Sequence, residues 1–128
     1  LRSDIYFLND YLNLEKIRCD KFEFTLSHEG DVDSIRLPPL LFIPFVENAV
    51  KYNSDSDNLS YVHIYFTLHD HELSFRCENS KPSVSVKREG GIGLANVRRR
   101  LELLYGSGYT LEIKDLATTY SVNLRLSL

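Results

Sequence analysis

From Leu1 to about Cys19, apolar residues recur at helical spacing, with Ile5, Leu8, Leu12 and Cys19 on one stripe. Ser3 is the expected N-cap of this first helix, and Asp4 suits its first turn. Glu15 lies near the stripe with Arg18 three residues on, a spacing that reads as an ion pair on the helix before it reads as chemistry. Phe22, Phe24 and Leu26 then alternate with polar residues and predict a short strand. His28 to Ser34, containing Gly30, reads as a polar connection, and a second short strand is expected before Pro38.

Pro38 and Pro39 suit a helix start, so a second helix is expected from Pro39 to about Asn53, bent at the internal Pro44. At about 100° per residue, Phe42, Ile43, Phe45, Val46, Ala49 and Val50 fill one side of it. Glu47, Asn48, Lys51 and Tyr52 share the other. Residues 53 to 60 form a polar loop. Val62, Ile64, Phe66 and Leu68 alternate with Tyr61, His63, Tyr65 and Thr67, and after a polar turn the alternation resumes at Leu73, Phe75 and Cys77. This is a hairpin with one buried face. Residues 80 to 90 read as a mobile connection. Leu94, Val97, Leu101, Leu104 and Tyr105 mark a third helix that begins directly after Gly91-Ile92-Gly93 and is stopped by Gly106-Ser107-Gly108. Leu111 and Ile113, then Val122, Leu124, Leu126 and Leu128, mark two closing strands joined near Ala117. Paired strands interrupted by helices predict an α+β two-layer sandwich, a largely antiparallel sheet with its helices on one face.

The 128 residues are one domain's worth of chain, 1–128, with 43% apolar and 26% charged residues and enough material for a normal core. With 15 basic and 18 acidic residues the net charge is -3, and no long basic run is present. Binding to nucleic acid is disfavoured, because backbone affinity needs clustered Lys and Arg. The longest apolar stretch, Leu37 to Val46, contains three prolines and is about half the roughly 20 residues a membrane span needs. The chain opens inside a helical pattern without an initiator Met, and is expected to be an excised soluble piece of a larger protein. Cys19 and Cys77 fall outside any CxxC or CxxH spacing and read as reduced, partly buried thiols of a cytoplasmic protein rather than zinc ligands.

Two segments depart from core logic. On the polar face of the second helix, the Asn48 amide oxygen is a hard neutral ligand suited to Mg²⁺. The neighbouring Glu47 carboxylate can take or orient a proton, and Lys51 one turn on can meet a phosphate. The alternative is a solvated helix face. In Gly90-Gly91-Ile92-Gly93-Leu94, glycines let backbone amides approach a phosphate, and the following helix N-terminus favours an anion. The alternative is a tight turn that needs glycine. The dinucleotide fingerprint fails, because Asn96 stands where its third glycine belongs, and no GK[ST] of a Walker loop exists. His69 and His71 sit in a hairpin turn without a third ligand. Of Arg98, Arg99 and Arg100, which point in three directions, Arg98 is nearest the glycines and best placed for a phosphate.

Together and in this order, the stretches YLNLEKIR, LPPLLFIPFVENAVKYN and GGIGLANVRRRLELLYGSGYTLEI resemble the catalytic ATP-binding domain of sensor histidine kinases, most closely the LytS-like branch. The resemblance spans nearly the whole chain. It implies a Bergerat-type fold: a mixed, mainly antiparallel sheet backed by three helices, with ATP between the second and third helices under a flexible segment at residues 80 to 90. By the same resemblance Asn48 would coordinate Mg²⁺, Glu47 would be the general base or would position a Mg²⁺-bound water, and Lys51 and Tyr52 would line the site. Gly91, Ile92, Gly93 and Leu94 would close over the phosphates with Arg98, and the flexible segment would bring Lys81, Lys87 and Arg88. The family's D-x-G-x-G at the end of the preceding strand is absent: the strand ends Cys77-Glu78-Asn79-Ser80, and Asn79 falls where an Asp would read the adenine amino group. Position 44, often polar or acidic in relatives, is proline.

The implied activity is transfer of the ATP γ-phosphoryl group to a histidine on a dimerisation helix outside these residues, for relay to an aspartate of a response regulator. The protein's share would be positioning and charge neutralisation. The implied setting is the cytoplasmic part of a membrane-anchored, homodimeric kinase. The alternative is a degenerate nucleotide-binding module that regulates without phosphotransfer.

Overall fold

The computed structural model describes residues 1–18, 21–38, 41–53, 60–81 and 91–128, with the backbone alone for 52–53 and 91–93. Three helices, α1 (Arg2–Arg18), α2 (Ile43–Asn53) and α3 (Gly91–Tyr105), accompany five strands: β1 (Phe22–Glu29), β2 (Ser60–His69), β3 (Glu72–Ser80), β4 (Tyr109–Asp115) and β5 (Thr119–Ser127). The strands form one sheet in the order β1-β2-β3-β5-β4. Only the β1 and β2 pair is parallel; the other three are antiparallel. The α+β sandwich expected from alternation is therefore present, with a mixed, mainly antiparallel sheet.

The parallel pair has a simple cause. Its two strands are joined through α2, and a crossover through a helix returns the chain in the same direction. The other pairs follow from turns. Asp70 and His71, both at positive φ (47° and 66°), give β2 and β3 the doubly left-handed turn whose twist suits a two-residue hairpin.

The helices cover the sheet face that bears Val62, Ile64 and Phe66 of β2, Leu73, Phe75 and Cys77 of β3, and Val122, Leu124 and Leu126 of β5, all buried. Onto it pack Leu8 and Leu12 of α1, Phe45, Val46, Ala49 and Val50 of α2, and Val97 and Leu101 of α3. Phe42, Phe66 and Phe75 form a triad of rings with centroids 4.9 to 5.1 Å apart, and Phe45 joins it at 5.8 Å from Phe75. Among the described residues the opposite sheet face carries no helix. It presents Tyr65, Arg76, Glu78, Asn123 and Arg125 around a shallow depression of about 500 Å³, and there Thr25 Oγ1 and His63 Nδ1 share a 2.6 Å hydrogen bond.

Several boundaries differ from the expectation. Helix α1 begins at Arg2, with the Leu1 carbonyl accepting from Ile5 N at 3.1 Å, so Ser3 lies inside the first turn and is not the cap. Strand β1 runs on through His28 and Glu29. Among the described residues no second strand lies between β1 and Pro38. A single 3₁₀ turn at Val32–Ser34 stands there instead, capped by the Asp31 side chain, which accepts from Asp33 N. Helix α2 begins at Ile43, and Pro44 sits in its first turn, where an amide hydrogen has no intrahelical partner to lose. Phe45 N and Val46 N both donate to Phe42 O, so Pro44 starts the helix and does not bend it. The expected helix start, Pro39, and Cys19 lie outside the described residues. Leu128 follows β5 and is exposed.

Candidate functional site

Three chain ends meet at one edge of the sheet. The register pairs Val62, near the start of β2, with Asn79 at the end of β3, and pairs Asn79 with Tyr120 at the start of β5. Helix α2 ends at Asn53, seven residues before β2 begins, so its C-terminal turns approach the same edge. Helix α3 ends at Tyr105, and after three intervening residues β4 starts at Tyr109, opposite Leu126 at the far edge. Its 15 residues span about 22 Å, which returns its N-terminus towards the end of β3. The polar face of α2, the end of β3 and the first turn of α3 are thus brought together by topology, and α2 and α3 pack against each other.

Asn79 is the unusual residue in this arrangement. It continues the inward-facing line Leu73, Phe75, Cys77, between Val62 and Tyr120 on the neighbouring strands, and is fully buried. Its Nδ2 donates to Ser80 O at 2.9 Å, while its Oδ1 is buried with no hydrogen-bond partner among the described residues. The anchored amine fixes the amide so that an acceptor is held ready. Buried polar atoms are nearly always satisfied, so a persistent orphan calls for a ligand or a cost.

On α2, Glu47 and Lys51 are exposed and Asn48 is half-buried, while Val46, Ala49 and Val50 on the other side are buried. The polar face read from the sequence is therefore real. Glu47 lies close enough to Tyr11 of α1 to act on it: burial first, then the charges of Glu15 and Glu47, push the Tyr11 phenol above its ordinary value. Glu15 also meets Arg18 at 4.0 Å, the ion pair expected from their spacing. Gly91, Ile92 and Gly93 are not a loop before α3; they are its first turn, followed by half-buried Leu94, with Arg98 exposed two turns in. Those leading amides have no intrahelical acceptor and point out along the positive end of the helix dipole.

Ser80 and Lys81, the first residues of the segment expected to be flexible, are part of the sheet edge. Ser80 ends β3 and donates no flexibility: its Oγ accepts from Tyr61 N at 3.0 Å. Lys81 is tied to the β4–β5 turn, with N to Thr118 O at 2.9 Å and Nζ to Leu116 O at 2.8 Å and to the Asp115 carboxylate. Lys81 therefore belongs to the sheet edge. Lys87 and Arg88 lie outside the described residues, as does the rest of that segment. His69 ends β2 and only His71 lies in the turn after it, a correction to the turn expected for both; among the described residues no group of three or more His, Cys, Asp or Glu could hold a metal by itself. A metal at Asn48 would need ligands from a bound molecule.

Tyr120 and Tyr11 were not singled out by sequence. Tyr120 is in phase with Val122 and Leu124 and extends the β5 alternation two residues earlier, a signal the sequence does contain. Tyr11 gives no such signal, because its meeting with Glu47 depends on how α1 and α2 pack.

The fold matches solved structures over nearly its whole length. Against the catalytic domain of histidine kinase ThkA the TM-score is 0.68, with 18% identity and coverage of 99% of this chain and 91% of that one. The chain has the fold of a histidine-kinase catalytic domain. The histidine kinase domain of the Erythrobacter litoralis EL346 blue-light activated histidine kinase gives 0.70 at 15% identity over 97% of this chain and 60% of that one. The mycobacterial sensor histidine kinase MprB gives 0.62 at 14% over 98% and 94%. In sequence, the uncharacterized protein YwpD of Bacillus subtilis (strain 168) is 26% identical over 139 residues, and the chain spans 98% of itself but 50% of that protein. No protein-family model matches the chain.

Proposed function

We propose that this histidine-kinase-like domain, residues 1–128, binds Mg²⁺-ATP and transfers its γ-phosphoryl group to a histidine outside these residues, as part of a LytS-like sensor kinase that serves a response regulator. The observation that carries the reading is Asn79. A fully buried amide with a locked donor and an unpartnered acceptor, at the edge where α2 and α3 converge, fits the exocyclic amine of adenine, which is a donor. A guanine would present a carbonyl to that acceptor and leave both oxygens unsatisfied.

From this anchor the remaining roles follow by position. The first turn of α3, Gly91 to Leu94, would receive the phosphates on its free amides, with Arg98 adding charge. Asn48 would supply one oxygen to Mg²⁺, the other ligands being phosphate oxygens and water, as suits an ion that rarely sits in an all-protein cage. Bound Mg²⁺-ATP supplies the activated phosphoryl group. Glu47 would accept or orient the proton of the incoming nucleophile, and Lys51 and Tyr52 would line the site. The whole protein would be a homodimer with its catalytic part in the cytoplasm beneath a membrane anchor; no helix described here is long and apolar enough to cross a membrane.

Calorimetric titration with a non-hydrolysable ATP analogue, with and without Mg²⁺, tests the reading. A dissociation constant of about 1 mM or tighter, roughly -4 kcal/mol, that loses its Mg²⁺ dependence in Asn48→Ala is expected. No binding at several millimolar overturns it. A neutral amide in place of the family's carboxylate favours a second reading, a nucleotide-binding module without phosphotransfer. Labelled phosphate appearing on a supplied histidine-bearing helix would reject that second reading.

A further inference from the structure

Four of the nine strongly exposed large apolar side chains among the described residues lie on one helix: Tyr6, Phe7, Leu14 and Ile17 of α1, exposed by 60%, 52%, 66% and 82%. At about 100° per residue they fall within about 100° of arc, centred opposite the stripe of Ile5, Leu8 and Leu12 that packs on the sheet. Helix α1 therefore has two apolar faces, and the described residues cover only one. Phe7, Leu14 and Ile17, with Asp10 between, follow the alternating three- and four-residue spacing of a helix-pairing seam.

We infer that the outer face of α1 is a self-association surface, on which a second copy of this chain docks with its own α1 antiparallel. Area supports a copy as the occupant. At roughly 200 Å² per side chain, the observed exposures amount to roughly 500 Å² per chain, the size of the largest apolar patch of a typical monomer, which is often functional. Buried in full on two copies, they amount to roughly 1,000 Å², the threshold of a biological interface and the size of a weak, reversible one. Charge fixes the direction. Asp4 stands in the first turn and Asp10 before the middle, while Lys16 and Arg18 close the last turn. Asp4, one-fifth exposed and 3.8 Å from the Leu1 amine, and Arg18, 4.0 Å from Glu15, lie on the same flank of the seam at its two ends, so antiparallel pairing about a two-fold axis near Tyr11 brings each Asp4 towards the second copy's Arg18, with both exchanging their internal partners. Parallel pairing would set like charges together. Arg2, which would disturb this pattern, is held away by a two-point contact with Asp33, its Nη2 meeting Asp33 Oδ2 at 3.0 Å. The inference stands independently of nucleotide binding.

Sedimentation equilibrium of the 128-residue chain across micromolar concentrations tests it. The wild type is expected to be a reversible dimer. Leu14→Glu combined with Ile17→Glu, both on exposed positions, is expected to weaken association by at least about 100-fold with far-UV circular dichroism and melting temperature unchanged. Arg18→Glu alone is expected to weaken it about tenfold, and adding Asp4→Arg to the same chain to restore it. A wild type that stays monomeric to several hundred micromolar, or a dimer that survives the paired glutamates, overturns the surface. A dimer indifferent to Arg18→Glu, or not rescued by Asp4→Arg, overturns the antiparallel arrangement.

Discussion

If the Asn79 acceptor is kept unpartnered for a ligand, replacing Asn79 with an apolar residue of similar size should separate stability from binding. In Asn79→Leu the orphan Oδ1 disappears, and the free protein recovers the cost of burying it, about 1–3 kcal/mol. The Nδ2 bond to Ser80 O, 2.9 Å long, is lost at about 1 kcal/mol. The new side chain joins Val62, Cys77 and Tyr120 on an already buried line. The net is stability unchanged or raised by up to about 2 kcal/mol, several degrees in melting temperature for a chain of this length. Nucleotide binding should meanwhile fall at least about tenfold, since one hydrogen bond to a buried partner is worth about 1.4 kcal/mol or more. Urea denaturation and calorimetry on the same variant read the two effects. A loss of stability above about 2 kcal/mol would show that Oδ1 has a partner in the free protein. Undiminished analogue affinity would remove Asn79 from the site. Asn79→Asp provides the electrostatic counterpart: a carboxylate buried there and facing Ser80 O has its folded pKa raised, so its penalty is present above that value and fades on acidification.

Other positions make separate claims. Gly30 holds φ at 103°, and a Cβ there would meet the Leu68 carbonyl oxygen at 2.4 Å, so Gly30→Ala should cost about 2 kcal/mol or more in chemical denaturation. Cys77 is buried and its thiol is pushed up to about 12. Its ionisation in the unfolded chain should therefore lower stability by about 1.4 kcal/mol per pH unit as the pH rises from about 9, a slope that Cys77→Ala should remove and that thiol titration should mirror by showing no native reactivity. Leu12→Ala, at a fully buried position of α1, should cost about 2–5 kcal/mol in the same denaturation assay.

The alternation of Val62, Ile64 and Phe66 with Tyr61, His63 and Tyr65 made the buried face of the sheet legible, because one residue in two must point inward. The order of strands was not legible. The insertion of β5 between β3 and β4 depends on long-range pairing that no local pattern encodes. Pro44 misled for a local reason: a proline inside an apolar run reads as a bend when the helix start is placed too early, and as a first-turn residue once Phe42 O is seen to accept the leading amides. The outer stripe of α1 is hard to read from sequence because two apolar faces on one helix cancel the contrast that marks an amphipathic one. Ile5, Leu8 and Leu12 form one face, while Tyr6, Phe7, Leu14 and Ile17 blur the contrast.

The candidate site shows the same division. Glu47, Asn48 and Lys51 were visible as polar residues interrupting a core helix, and Gly91 to Leu94 as glycines ahead of an apolar stripe. Asn79 was legible only through the resemblance, as the residue standing where an Asp would read the adenine amino group. Its burial was not, because only the pairing of β3 with β2 and β5 makes it a core position. A solvated amide would carry no information. One that is buried, fixed through its amine and unpaired through its oxygen destabilises the protein unless a donor arrives, and it lies where α2 presents an amide and a carboxylate and α3 presents free backbone donors. In the proposed reading the sheet would hold the base-reading acceptor, and the helices would hold the groups that meet the phosphate chain. Selection among nucleotides should therefore depend on β3 and survive changes to the α2 face, whereas Mg²⁺ dependence should depend on α2 and survive changes at Asn79.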